Sequence, residues 1–176
     1  MIKHIFFITG GSGTGKTSLV SELKKKYTNN NWDFIHFDSI GIPSTEEMID
    51  RSGSIENWQK DTTALWIEKI LKDYKPKEII IFEGQVNIEF IKEGFLKNNY
   101  TNYKIILIDC KSEVMAKRLI TDRNQPELVN ENMLNWLNFL RNQAKENKIA
   151  IIETSNKTKL EVLTDFETIL KNYNAI

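Results

Sequence analysis

The sequence predicts an α/β fold, with a mostly parallel sheet and helices packed on both of its faces. Three observations predict it. Five short apolar runs, rich in β-branched and aromatic residues, recur along the chain. Longer segments with apolar residues at helical spacing lie between them. The runs themselves show little polar alternation, as expected of parallel strands covered on both sides. Strands alternating with helices imply right-handed crossovers, which distribute the helices over the two faces.

The elements follow in order. The first run is Ile5–Ile8, and a stripe of Leu19, Val20 and Leu23 comes after it. Phe34–Phe37 is the second run. The spacing of Ile55, Trp58, Thr62, Leu65, Trp66 and Ile70 predicts the next helix. Ile79–Phe82 is the third run and Ile105–Ile108 the fourth. Val114, Met115 and Leu119 then form a stripe, and Met133, Leu134, Leu137, Leu140 and Ala144 another. Ala150–Ile152 is the last run. Leu163, Phe166, Ile169 and Leu170 give the terminal helix, between Leu160 and Leu170.

Open parallel sheets bind ligands beyond the carboxyl ends of their strands. The residues just after each run therefore matter most. They are Thr9-Gly10, Asp38-Ser39, Glu83-Gly84-Gln85, Asp109-Cys110 and Glu153-Thr154-Ser155. Acids recur at these ends, as Asp38, Glu83, Asp109 and Glu153.

With 176 residues, no repeat and no Pro- or Ser-rich linker, the expectation is one domain over 1–176. Hydrophobic residues are 40% and charged residues 27%, an ordinary soluble composition. A formal net charge of zero argues against a nucleic-acid partner, since phosphate neutralisation calls for a basic excess. The opening apolar run is too short for a signal segment or a membrane span. The lone cysteine, Cys110, permits no internal disulfide, so a cytoplasmic setting is expected. Cys110 reads as a packed thiol, His4 and His36 as structural, and Trp58, Trp66 and Trp136 as core residues on helical stripes.

Gly10-Gly11-Ser12-Gly13-Thr14-Gly15-Lys16-Thr17 matches the whole pattern G-x-x-x-x-G-K-[ST], with a strand before it and an amphipathic segment after it. Its glycines let successive N–H groups turn toward phosphate oxygens. The helix that follows presents the positive end of its dipole. Lys16 is placed for the β- and γ-phosphates and the Thr17 hydroxyl for Mg²⁺. The expected phosphate-binding set is Gly11, Ser12, Gly13, Thr14, Gly15, Lys16, Thr17 and Ser18. A dinucleotide loop, G-x-G-x-x-G, fails, because counting from Gly11 puts Lys16 where its last Gly belongs. A guanine-reading site also fails. Asp38-Ser39-Ile40-Gly41 has the form D-x-x-G, but Asn156-Lys157-Thr158-Lys159 carries Lys159 where N-K-x-D needs an acceptor, and Lys has none.

Taken with these motifs, the chain resembles the P-loop small-molecule kinases, the nucleoside monophosphate, shikimate and gluconate kinase group. The resemblance implies a three-layer P-loop NTPase fold, with a five-stranded parallel sheet in the order 2-3-1-4-5. It implies ATP and Mg²⁺ as cofactors and a small hydroxylated or phosphorylated metabolite as substrate. Asp38 then holds the acceptor hydroxyl, acts as its base, or holds a metal-bound water; read locally, it caps a turn. Ile79-Ile80-Ile81-Phe82-Glu83 takes the Walker-B form, with Glu83 at the metal. Gly84 admits the acceptor to the backbone and Gln85 bonds it. Arg118 and Arg123 bracket a short lid over about 122–132, with Arg123 on the transferring phosphoryl group. Arg118 and Asp122 are also spaced to pair on a helix surface. Arg141 points to the phosphates or acceptor, or else to water. Thr154-Ser155-Asn156 matches the loop around adenine, which makes Ser155 a nucleotide contact. The stretch 41–73, with Arg51, Trp58 and Lys60, matches an acceptor-binding insertion. The catalytic set is thus Lys16, Asp38, Glu83 and Arg123. Three other readings stay open: an ATPase or nucleotide-dependent switch with no acceptor, a degenerate nucleotide-binding regulator, and a polynucleotide kinase, which needs a basic groove. Oligomeric state is not legible.

Overall fold

Five strands form one parallel sheet in the order β2-β3-β1-β4-β5. They are β1 His4–Thr9, β2 Trp32–His36, β3 Ile79–Glu83, β4 Tyr103–Asp109 and β5 Ala150–Glu153. The computed structural model describes residues 2–28, 30–74 and 77–176. The helices are α1 Lys16–Lys26, α2 Thr45–Ser52, α3 Ile55–Asp73, α4 Ile88–Lys97, α5 Ser112–Lys117, α6 Glu131–Glu146 and α7 Lys159–Asn172.

Successive side chains of a strand point to opposite faces, so each face of the sheet builds its own core. Phe6 and Ile8 pack with Leu19, Val20 and Leu23 of α1 and with Val162, Leu163, Phe166 and Leu170 of α7. Ile5 and Phe7 pack with Trp66, Ile67 and Ile70 of α3, with Ile88, Ile91 and Phe95 of α4, and with Leu140 and Ala144 of α6. A third cluster joins Cys110, Met115, Leu119, Met133 and Leu137 beyond the end of β4. Three layers result, with the loops that carry the glycines and acids along one edge.

Two helices go beyond the apolar stripes. α2 buries only Met48, so no stripe marks it; a capping box between Ser44 and Glu47 starts it instead. α4 buries Ile88, Phe90, Ile91, Gly94 and Phe95 and has Asn87 as its N-cap. Its Gly94 has a packing reason: a Cβ there would stand 2.5 Å from Ile67 Cδ1. In α3 the inward face is Thr62, Thr63, Trp66, Ile67 and Ile70, whereas Leu65 of the expected stripe is 58% exposed. β2 starts earlier than its apolar run, at Trp32, which is buried and stacks on Tyr27 at 4.2 Å. The strand ends at His36, so Asp38 falls in the 3₁₀ turn Phe37–Ile40.

Candidate functional site

β1 delivers the chain to Gly10, where a Cβ would meet Ile108 O at 2.3 Å, so no other residue fits beside β4. Gly13 turns the loop at φ +77°, a left-handed conformation that glycine adopts without strain. Thr14 Oγ1 donates to Gly11 O at 2.8 Å and holds the turn closed. The loop feeds directly into α1, which opens at Lys16 with no acidic residue in its first turn. Its free N–H groups face an anion site with no competing carboxylate from the helix itself.

Lys16 is buried, and its Nζ donates to Gly11 O at 3.0 Å. Burial holds its pKa below the ordinary lysine value. Glu83 and Asp38 work against that shift, and Arg123 adds to it. The ammonium is therefore desolvated, within electrostatic reach of two carboxylates and a guanidinium. Thr17 Oγ1 donates to Glu83 Oε1 at 3.1 Å. His36 Nδ1 lies 2.8 Å from the same oxygen. The sheet register explains the second contact, because His36 and Glu83 are partners across the β2–β3 ladder. Ser12 Oγ donates to Gln85 Oε1 at 3.1 Å, which ties the loop to the residue after β3.

On the opposite flank, α5 runs into a π-helical turn, Arg118–Asp122. Such a turn displaces side chains from ordinary helical spacing and is often found at functional sites. Arg118 Nη1 donates to Gly13 O and Thr14 O, both at 3.3 Å, and to Thr154 Oγ1 at 3.0 Å. Its Nη2 donates to Thr154 O at 2.9 Å. Arg118 therefore makes none of the surface pair with Asp122 that the spacing allowed; it joins the phosphate loop to the loop after β5. Thr154 Oγ1 also donates to Thr14 O at 2.8 Å.

A cleft of 450 Å³ opens between these elements. It is lined by Gly13, Gly15, Lys16, Thr17 and Ser18 of the phosphate loop and α1, by Arg118, Asp122 and Arg123, and by Thr154, Lys157 and Lys159, with Leu19 and Val162 supplying apolar surface. The structure brings together seven of the residues singled out in the sequence: Gly13, Gly15, Lys16, Thr17, Ser18, Arg118 and Arg123. Gly11, Ser12 and Thr14 shape the loop from behind.

Other residues stand elsewhere. Asp38 is exposed at the end of the β2 side. Gly84 has a packing reason rather than an open approach, because a Cβ there would lie 2.5 Å from Phe37 Cβ. Ser155 accepts from Lys111 N at 2.7 Å and bonds Glu153, while its neighbour Thr154 is the one that lines the cleft. Arg141 donates to Asp109 Oδ2 at 2.8 Å, Cys110 O at 2.7 Å and Asn138 Oδ1 at 3.0 Å, so its guanidinium clamps the end of β4. The stretch 122–132 leaves the π-helical turn, passes a 3₁₀ turn at Pro126–Leu128 and enters α6 at Glu131. Cys110 is buried, and burial raises its thiol pKa to about 11, which makes it a packing residue. Lys157 and Lys159 were not expected in the site, and only the failed guanine motif pointed to them; Thr154 lay in the loop after β5 that the sequence singled out, but its side chain had no role assigned.

Among the described residues no helix is long and apolar enough to cross a membrane. Nor does any group of three or more His, Cys, Asp or Glu side chains stand together to hold a metal on their own.

Comparison with known proteins adds the following. A family model described as an AAA domain matches residues 6–135. No curated protein matches the sequence. Among solved structures, a gluconokinase from Sinorhizobium meliloti 1021 superposes with a TM-score of 0.69 at 13% identity, over 97% of this chain and 95% of that one. Shikimate kinase from Acinetobacter baumannii gives 0.58 at 18% identity, over 98% and 95%. Deoxyadenosine kinase from M. mycoides gives 0.57 at 13%, over 96% and 98%. The three-layer fold with strand order 2-3-1-4-5 is thus a fold shared with P-loop small-molecule kinases, along essentially the whole length of the chain.

Proposed function

The chain belongs to the AAA domain family, and from that premise we propose that it is an ATP- and Mg²⁺-dependent phosphotransferase that acts on a small hydroxylated or phosphorylated metabolite. The observation that carries the reading is the contact of Thr17 with Glu83 at 3.1 Å, directly beneath the phosphate loop. A phosphate cradle, a hydroxyl and a carboxylate meet there at one point.

The reaction would run as follows. The loop N–H groups, Lys16 and Ser18 hold the triphosphate, while the nucleoside lies in the cleft between Arg118, Thr154 and Val162. The donor set fits Mg²⁺, since a hydroxyl and a carboxylate are hard oxygen ligands. Thr17 and Glu83 would hold it, and its chemistry would be to neutralise charge on the phosphate oxygens. The acceptor approaches from the ends of β2 and β3, past Asp38 and Gln85. Its hydroxyl oxygen bonds the γ-phosphorus as the bond to the β-phosphate oxygen breaks, ADP leaves, and the hydroxyl proton passes to the Asp38 carboxylate. Lys16 and Arg123 stabilise the negative charge on the transferring group. The stretch 122–132 serves as the lid that brings Arg123 over the phosphates, and 41–73 serves as the acceptor-binding segment. Catalysis is then mainly positioning and charge neutralisation. We propose a small molecule, rather than a nucleic acid, as the partner.

The test is ADP release from ATP and Mg²⁺ by the purified protein, with and without pools of candidate acceptors. Acceptor-stimulated release that disappears in Lys16→Ala supports the proposal. Firm ATP binding with turnover indifferent to every pool would replace it with an ATPase or a nucleotide-binding regulator.

A further inference from the structure

Glu83 ends β3, and only 9% of its side chain is exposed. Two donors converge on one of its oxygens. Thr17 Oγ1 reaches Oε1 at 3.1 Å from the start of α1, and His36 Nδ1 reaches the same atom at 2.8 Å from the end of β2. Among the described residues nothing donates to Oε2. The carboxylate is thus held by one oxygen while the other stays free. A Glu in this place has one methylene and one torsion more than an Asp, so its carboxylate samples more positions unless something restrains it. The Thr17 hydroxyl has a single hydrogen to give. His36 supplies the second restraint.

The fold fixes His36 for that task. It is the partner of Glu83 across the parallel β2–β3 ladder, so both side chains leave the sheet on one face. Only two torsions separate Nδ1 from the main chain. The main chain is itself anchored: Ser39 Oγ donates to His36 O at 2.6 Å, Trp66 Nε1 donates to Phe37 O at 3.0 Å, and the Phe37 ring stacks on Phe82 at 6.2 Å. A carboxylate only accepts, so the imidazole donates from Nδ1. It does so whether neutral or protonated, and the contact does not depend on its charge. With 42% of its side chain exposed, His36 is not a core residue, and packing does not account for its place.

We propose that His36 is a positioning residue for the metal carboxylate: its Nδ1–H, with the Thr17 hydroxyl, pins Oε1 of Glu83 and leaves Oε2 for Mg²⁺. The inference rests on the Mg²⁺–ATP reading above, and it gives a role in the site to a histidine that reads from the sequence as structural. Partners that orient a metal ligand without touching the metal govern metal affinity by about tenfold or more.

The experiment uses the full chain and measures ATP binding by calorimetry, once with Mg²⁺ and once with EDTA. Three variants are compared with the unaltered protein. His36→Phe keeps a ring and removes the donor, with His36→Ala in its place should the first not melt cooperatively. His36→Asn carries an amide nitrogen where Nδ1 stood. The third variant combines His36→Phe with Glu83→Gln. The expected result is a loss of about tenfold in ATP affinity with Mg²⁺ in His36→Phe, binding in EDTA unchanged, and recovery of most of the loss in His36→Asn. Added to Glu83→Gln, His36→Phe should cost nothing more, because the two residues act through one contact. Equal losses with and without metal, no recovery in His36→Asn, additive losses with Glu83→Gln, or no loss at all would each overturn the inference and leave the phosphotransferase reading standing. ATP binding by the unaltered protein that is indifferent to Mg²⁺ would overturn the metal site of that reading itself.

Discussion

Thr154 and Arg118 close the nucleotide cleft from behind: Arg118 Nη1 donates to Thr154 Oγ1 at 3.0 Å, and that hydroxyl donates onward to Thr14 O at 2.8 Å. Three segments far apart in sequence, the phosphate loop, the turn after α5 and the loop after β5, are held in one hydrogen-bonded unit. Gly13 O and Thr14 O are thereby occupied by these donors, and the N–H groups of the loop remain for phosphate.

Removing this lock is expected to loosen the cradle. Arg118→Ala should lower stability by about 2 kcal/mol, through loss of hydrogen bonds to a charged donor at a half-buried site. It should also weaken nucleotide binding. Denaturant titration should show a lower midpoint at unchanged slope, and isothermal titration with ATP a higher Kd. Thr154→Val, which removes the hydroxyl at similar volume, should share the binding defect. Unchanged ATP affinity in both variants would contradict the idea.

Arg141 is expected to act on stability and not on the acceptor. Its partner Asp109 is largely covered, with 13% of its side chain exposed. Arg141→Met should leave that carboxylate poorly answered and destabilise the protein by about 2 kcal/mol. The KM for the acceptor should change little. A selective rise in that KM at unaltered stability would instead make Arg141 an acceptor contact.

Gly84 and Gly94 offer a matched pair. A Cβ on Gly84 would collide with Phe37 Cβ, close to the backbone of the 3₁₀ turn. Gly84→Ala should therefore cost about 2 kcal/mol, as over-packing does. A Cβ on Gly94 meets the terminal methyl of Ile67 closely and the Ala64 backbone only at ordinary contact distance, 3.6 Å, and alanine gains about 1 kcal/mol of helix propensity there. Gly94→Ala should be clearly the milder of the two in thermal melts. Equal losses would show that the Phe37 contact does not set the position.

Cys110 should resist alkylation by iodoacetamide in the folded protein and react on unfolding, because the attacking species is the thiolate. Its folded pKa, at about 11, lies above the ordinary value of 9.0. The contribution of this group to stability is therefore present in full below pH 9.0 and is lost as pH rises toward about 11. Cys110→Ser should remove that part of the alkaline slope in a pH series of denaturant melts. Rapid labelling of the native protein at neutral pH would count against the packed-thiol assignment.

Glu83→Gln keeps the shape of the side chain but withdraws its charge from beside Thr17. We expect the apparent Mg²⁺ affinity, read from ATP binding at varied metal, to fall by about tenfold or more, with metal-free nucleotide binding much less affected. The same loss at all metal concentrations would point to a purely structural role for Glu83.

The sequence by itself determined the sheet with its flanking helices and the phosphate loop. Both are written in local spacing: runs of apolar residues a few positions long, stripes at helical period, and eight consecutive residues from Gly10 to Thr17. Such signals need no partner to be recognised. The tertiary structure alone decided that Arg118 serves the loop carbonyls and not Asp122, that Thr154 and not Ser155 faces the cleft, that His36 shares an oxygen of Glu83 with Thr17, and that Gly84 makes room for Phe37. Each of these joins residues tens of positions apart. A hydrogen bond between 14 and 154 leaves no periodic trace in the chain, and α2, which buries a single residue, leaves no stripe. Local propensity writes the elements, whereas the meeting of their ends is set by packing over the whole sheet.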